Sequence, residues 1–217
     1  QYEASFLSGD KLDVLNILME YCAAGDLSRY LKNRANAPEA SRRLVEEQII
    51  YKFLVQIALG LRWLHQNRIL HRDIKTLNVF LAGHQGSEDV RLGDLGVARL
   101  LSDNTQFANT FIGTPYYLSP ELCEEKPYNE LSDVWAFGCV VYEMCTLKHP
   151  FDARNHAALL IKILRGAYAP ISERYSDDLK DLIDGCMQRD WTKRTKLTTL
   201  LASASVRSRA EQLGLAL

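Results

Sequence analysis

The sequence lacks a dominant charge. Its 26 basic side chains are balanced by 27 acidic ones, for a formal net charge of -1. That balance gives no electrostatic footprint for nucleic acid or for an anionic membrane surface. No apolar run approaches the roughly 20 residues that a bilayer-spanning helix requires, and the opening residues do not read as a signal peptide. Paired cysteines are missing too. The five thiols, Cys22, Cys123, Cys139, Cys145 and Cys186, are scattered, odd in number and free of any C-x-x-C spacing. Such thiols read as reduced and structural, which predicts a cytoplasmic protein. Without clustered Cys and His, a structural zinc site is excluded. Internal repeats and low-complexity segments are also absent.

What is present is an ordinary globular composition. Hydrophobic residues make up 47% and charged residues 24% of 217 positions, enough for one large domain or two small ones around a sizeable core. Residues 2–7 and 12–19 are apolar and β-prone. Ser8-Gly9-Asp10-Lys11 between them is rich in turn formers, so this stretch predicts a hairpin. A polar connector at 20–26 leads to a short helix at 27–32. Residues 45–67 predict a long helix: Ile49, Ile50, Phe53, Leu54, Ile57, Leu61 and Leu64 recur at spacings of three and four. Short strands are expected at 79–82 and 90–92. Residues 94–121 have no sustained periodicity and read as a long loop, a feature that is usually functional or disordered. Residues 131–145 are apolar nearly all round, the mark of a buried helix. Further helices are expected at 155–165, 177–187 and 195–204, and the tail 205–217 is weakly patterned. The fold class is α+β, a two-stranded piece followed by a mainly helical body.

Three polar residues in this frame suggest chemistry. Asp73 and Asn78 fall on a loop between a helix and a strand, and Asp94 follows the strand at 90–92. Asn78 and Asp94 offer oxygen to a hard cation, and magnesium favours one or two carboxylates plus substrate phosphates over an all-protein cage. Asp73 is then available to take a proton from an attacking hydroxyl, and Lys75 to reach a phosphoryl group as a point charge. This set suits phosphoryl transfer, where catalysis is mainly positioning and charge neutralisation. Taken alone, each acid has a plainer reading as a cap, a turn residue or a solvated charge.

The string His71-Arg72-Asp73-Ile74-Lys75-Thr76-Leu77-Asn78 resembles the protein-kinase catalytic loop, H-R-D-x-x-x-x-N. Asp94-Leu95-Gly96 resembles D-F-G, and Ser119-Pro120-Glu121 stands in for A-P-E. Asp133-Val134-Trp135-Ala136-Phe137-Gly138 resembles the start of the family's buried central helix, and His149-Pro150-Phe151 the motif before its next helix. The match runs in register over about residues 2–204. Lys75 and Gly113-Thr114-Pro115-Tyr116-Tyr117 resemble the Ser/Thr branch. Together with Met19-Glu20-Tyr21-Cys22 they look most like the NIMA-related kinases.

The resemblance implies a kinase-like fold with 1–19 as a remnant of the small lobe, 20–26 as the hinge, 27–204 as the large lobe and 205–217 as a tail. It implies ATP and Mg2+ as cofactors and proteins as substrates, with no nucleic-acid or membrane partner. Asp73 would be the catalytic base, Lys75 the stabiliser of the phosphoryl transition state, and Asn78 and Asp94 the magnesium ligands. Met19 would be the gatekeeper, Glu20 and Cys22 backbone partners of adenine, Phe80 its floor and Asp26 a ribose contact. Thr114 would shape the peptide loop and contact Asp73. Arg72 would pair with a phosphate on the activation loop, with Thr110 and then Thr105 as phosphosites; both also read as plain loop threonines. His71, Leu95, Gly96, Glu121, Asp133 and Arg194 would be structural, with Glu121 and Arg194 as a pair. Thr195, where the family often has proline, would only soften a helix start.

No G-x-G-x-x-G occurs, and no lysine stands in a V-A-I-K-like strand. The chain opens at Gln1, directly in a strand-like pattern, and looks like a piece of a longer protein. These features are expected upstream of Tyr2, and the piece alone is expected to be weakly active or inactive. A pseudokinase or docking module of the same fold is one alternative and a small-molecule phosphotransferase another. The Gly113-Thr114 peptide loop speaks against the latter. Regulatory and cytoskeletal partners, and a cytoskeletal or ciliary association, stay open.

Overall fold

The computed structural model describes residues 2–9, 13–38, 43–84, 86–94, 99–100 and 115–217. The chain opens with strands β1 (Tyr2–Ser8) and β2 (Val14–Met19), paired antiparallel with an irregularity between Tyr2 and Ala4. Asn16 Nδ2 donates across the pair to Ser8 Oγ at 2.8 Å. The segment after β2 turns at Gly25 (φ +81°), whose amide donates to the Cys22 carbonyl at 3.0 Å. A side chain would resist that left-handed backbone.

Helix α1 (Leu27–Ala35) starts where Asp26 Oδ1 accepts from Arg29 N at 2.8 Å, satisfying a backbone donor that the helix itself cannot. Helix α2 (Glu47–Gln66) follows, and its predicted stripe is buried at Ile50, Phe53, Leu54, Ile57, Leu61 and Leu64, while Ile49 at its edge is half-buried. Beyond it, β3 (Ile69–Leu70) pairs with β6 (Arg99–Leu100), and β4 (Val79–Ala82) pairs with β5 (Asp89–Leu92). The β3–β6 pairing was not foreseen, because two-residue strands carry no periodicity to read. Helix α3 (Pro120–Cys123) begins in the last two residues of the segment expected to be loop. A single turn with proline at its start is too short to leave a pattern.

Helix α4 (Glu130–Thr146) forms the axis of the body. Asn129 and Ser132 close a capping box at its start, and Trp135, Phe137, Val140, Val141 and Met144 are buried around its circumference. Helices α5 (His156–Arg165), α6 (Asp177–Cys186), α7 (Leu197–Ala202) and α8 (Ala204–Gln212) complete the body. Helix α8 occupies much of the tail that was expected to be weakly patterned. Val206 and Ala210 give only a narrow apolar stripe, and both are buried, while Arg209 Nη2 reaches Glu47 Oε1 at 3.1 Å. Thr195 also differs from expectation. It precedes α7, and its amide donates to Gly185 O at 3.0 Å, a bond that proline could not form.

Candidate active site

The loop between β3 and β4 is tied to α4 through one carboxylate. Asp133, fully buried, accepts from the amides of His71 and Arg72, each at 3.0 Å. His65 Nε2 lies 2.8 Å from its Oδ2, and the Tyr128 hydroxyl donates to its Oδ1. A buried carboxylate with this many donors is satisfied, and it rigidifies what it holds. It also supports a costly backbone: Arg72 sits at φ +67°, a region that a non-glycine residue occupies only when its surroundings enforce it.

From that anchor the loop presents three side chains to one point. Lys75 Nζ is 2.7 Å from Asp73 Oδ2. Asn78 Nδ2 donates to the same oxygen at 2.9 Å and to the Asp73 carbonyl at 2.8 Å. With its amide nitrogen so engaged, Asn78 keeps its carbonyl oxygen as an acceptor for a cation. Residues 76–78 form a 3-10 turn, which puts Lys75 and Asn78 on either side of Asp73. The Asn78 carbonyl accepts from Gly93 N at 3.0 Å, which carries the chain to Asp94 beside this cluster, at φ +58°. One carboxylate and one amide oxygen fit a magnesium ion that completes its shell with water and phosphate. Among the described residues no group of three or more His, Cys, Asp or Glu could hold a metal unaided.

Of the residues expected to face a nucleotide, Phe80 lies nearest this cluster, against Gly93. Phe80 on β4 bridges to Asp26, and Leu81 N donates to Gly25 O at 2.8 Å. A Cβ on Gly93 would lie 2.4 Å from Phe80 Cε2, so the Phe80 ring needs a glycine there, a requirement the sequence reading missed. Glu20 Oε2 pairs with Arg91 Nε at 3.2 Å. Met19 at the end of β2 is 64% exposed. One Asp26 oxygen is already committed as the α1 cap.

The remaining expected residues divide sharply. His71 is fully buried, and burial pushes its imidazole below the usual histidine range, so it stays neutral. Glu121 and Arg194 form a buried two-pronged pair at 2.7 and 2.6 Å, and Ser132 Oγ donates to Glu121 Oε1 at 2.6 Å. Arg72 Nε is buried without a hydrogen-bond partner among the described residues. Leu95, Gly96, Thr105, Thr110 and Thr114 lie outside the described residues.

A second set of contacts had no sequence signal beyond motif membership. The Tyr117 hydroxyl donates to Glu143 Oε2 at 2.5 Å and lies 3.0 Å from Thr76 Oγ1. Burial and the Glu143 charge push the Tyr117 phenol far up, so it remains a donor. His149 stacks on Tyr116, with ring centroids 4.0 Å apart and planes 10° apart, and meets Tyr117 edge-on at 5.6 Å.

A helical body with a loop of this composition pinned to its central helix defines a phosphotransferase lobe of the protein-kinase kind. The protein kinase domain family matches residues 6–205, and the chain belongs to that family. It is 44% identical over 212 residues to serine/threonine-protein kinase Nek1 of Mus musculus, covering 98% of this chain and 17% of that protein. It is 46% identical over 187 residues to Nek5 of Mus musculus, covering 86% and 28%. It is 45% identical over 204 residues to Nek8 of Danio rerio, covering 94% and 28%. Within the family the chain is therefore NEK-like, and it spans less than a third of the length of these relatives.

Proposed function

We propose that the protein transfers the γ-phosphoryl group of ATP to serine or threonine of protein substrates. The observation that carries this reading is the Asp73 carboxylate, held between Lys75 and Asn78 on a loop fastened to α4. Magnesium-bound ATP supplies the electrophilic phosphorus. Asp73 orients the acceptor hydroxyl and accepts its proton. Lys75 exchanges its ion pair for the charge that develops on the transferred group. Asn78 fixes Asp73 through its amide nitrogen and, with Asp94, offers oxygen to the metal. Arg72 is the partner for a phosphate on the segment before Pro115, with Thr110 and Thr105 as the acceptors.

Taken alone, the 217 residues contain no G-x-G-x-x-G and no V-A-I-K-like lysine, so they turn over weakly by themselves. The same absence favours the second reading, a docking module of kinase fold. Five free, mostly buried thiols fit the reducing, cytoplasmic compartment expected for this enzyme.

The deciding experiment measures peptide phosphorylation by the full-length protein with Mg2+ and ATP. Asp73→Ala is expected to lower turnover by roughly 10²–10⁴-fold, the contribution of a positioned general base. Near-normal turnover in that variant would sink the mechanism. No turnover in the parent protein would leave the docking module.

A further inference from the structure

Resting on the kinase reading above, we propose that His149 is a positioning residue for the protein substrate, acting through Tyr116 and Tyr117 on the catalytic loop. Within residues 115–118, Tyr117 reaches the catalytic loop, and its hydroxyl lies between Glu143 Oε2 and Thr76 Oγ1. Thr76 stands between Lys75 and Asn78 in sequence, and it also donates weakly to Glu143 Oε1 at 3.5 Å. Hydrogen bonds therefore fix the polar end of Tyr117. Its ring is braced by the edge of His149, which also covers the face of Tyr116.

The form of that brace says what His149 contributes. Nδ1 lies 3.5 Å from Glu143 Oε2, yet it is buried and makes no hydrogen bond. The contacts that His149 makes with Tyr116 and Tyr117 are ring-to-ring contacts. Near-parallel and edge-on aromatic pairs at these distances favour one relative placement. His149 thus sets the position of residues 116–117, and Tyr117 carries that position to Thr76 beside the catalytic cluster. A substrate laid along residues 115–118 feels this placement, whereas ATP, held on the Phe80 and Asp94 side, does not.

The test uses the full-length protein. His149→Ala should raise the KM for an acceptor peptide about two- to tenfold, the range that an aromatic pair supplies, with the KM for ATP unchanged. His149→Phe keeps the flat ring, discards Nδ1 and should keep a wild-type peptide KM. An unchanged peptide KM in His149→Ala, an ATP KM that rises in step with it, or a Phe variant as impaired as Ala overturns the proposal. Hydrogen exchange supplies a readout that needs no activity. His149→Ala should speed exchange over residues 115–118 by about two- to tenfold and leave the amides of α4 at wild-type rates. Unchanged exchange over 115–118 in the folded variant overturns the proposal. If His149→Ala fails to fold, Tyr116→Ala removes the stacking partner from the other side and should raise the peptide KM in the same range. A wild-type value there counts against the role. If the parent protein phosphorylates no peptide, the kinase reading falls and the exchange measurement alone decides the case of His149.

Discussion

In the β1–β2 hairpin, Phe6, Leu7, Val14, Leu15, Ile17, Leu18 and Met19 are each at least half exposed, while on α4 Val134, Trp135, Phe137, Val140, Val141 and Met144 are buried. Both stretches are apolar nearly throughout, and they differ in what surrounds them. Helix α4 is packed by α2 and α6 and stacks Trp135 on Phe151 at 5.7 Å. Among the described residues β1 and β2 pair only with each other, and neither face of a two-stranded sheet can cover the other. An apolar side chain contributes about 1.5–3 kcal/mol only when water is removed from it. The same residue types therefore stabilise one region and add little to the other. The polar groups follow the same division. Around α4 they are buried and multiply bonded, as at Asp133 and Arg194, whereas just beyond β2 Glu20 pairs with Arg91 at the surface, a kind of pair that contributes little.

The sharpest break in the body is Arg194→Ala. Arg194 and Glu121 have side chains 0% and 2% exposed, and Arg194 also donates to Leu131 O and Gln188 O. Removing one member of such a pair strands a buried charge and costs about 3–5 kcal/mol. Urea denaturation should show a loss of that size, and a change within about 0.5 kcal/mol, the scale of an ordinary surface substitution, would count against the buried frame. The pH dependence sharpens the test. Burial pushes Glu121 up, but the Arg194 hydrogen bonds outweigh it and hold the carboxyl below its ordinary 4.5. Its contribution to stability is therefore full above 4.5 and is lost as pH falls through the lower folded value. In Arg194→Ala the Ser132 hydrogen bond remains, but the Arg194 hydrogen bonds and charge no longer offset burial, so the folded value rises. The stability that Glu121 contributes above its unfolded value shrinks accordingly, and the acid-side loss of stability should be weaker than in the parent.

A matched pair of truncations tests the two regions directly. Leu54 is fully buried in α2 and Leu15 is 62% exposed in β2. Leu54→Ala should cost about 2–5 kcal/mol through lost transfer energy and the cavity left behind. Leu15→Ala should change stability by no more than about 0.5 kcal/mol. Equal losses in urea denaturation would mean that something covers the hairpin in solution, and the contrast between the regions would fail.

The helical body was legible because it repeats. The stripe on α2, the all-apolar α4 and the helical patterns of α5 and α6 each follow from the spacing of apolar residues. The catalytic loop was legible for another reason, since its residue types at fixed spacing fit one chemistry. The partners of Asp133 were only half legible. The amides of the loop followed from the motif, but His65 and Tyr128 reach that carboxylate from elements that mark them in no way. Tyr117 to Glu143 and Gly93 beneath Phe80 were hidden for the same reason: they are contacts between segments, and neither segment alone contains the information. The two-residue strands β3 and β6 and the short α3 fell below the length at which a period can be read.

Two helical glycines provide the finest test, because they ask how tightly each part of the body is packed. A Cβ on Gly138 in α4 would lie 2.7 Å from Met187 Cγ and 2.8 Å from Cys186 Cβ. The Met187 side chain can turn away, but Cys186 Cβ is fixed to the backbone of α6, so the helices themselves must separate. Overpacking of that kind costs about 1–3 kcal/mol, more than the roughly 0.8–1 kcal/mol that alanine gains over glycine inside a helix. On Gly60 in α2 the added Cβ would meet Leu92 Cδ1 at 2.8 Å. That methyl is the far end of a half-buried side chain, which can rotate out of the way. Gly138→Ala is therefore expected to lower the urea midpoint, while in Gly60→Ala the helix gain and the smaller repacking cost offset each other and leave stability within about 0.5 kcal/mol of the parent. If Gly138→Ala were instead the neutral substitution, α4 and α6 would have slack between them, and the body would owe its stability to something other than close packing around α4.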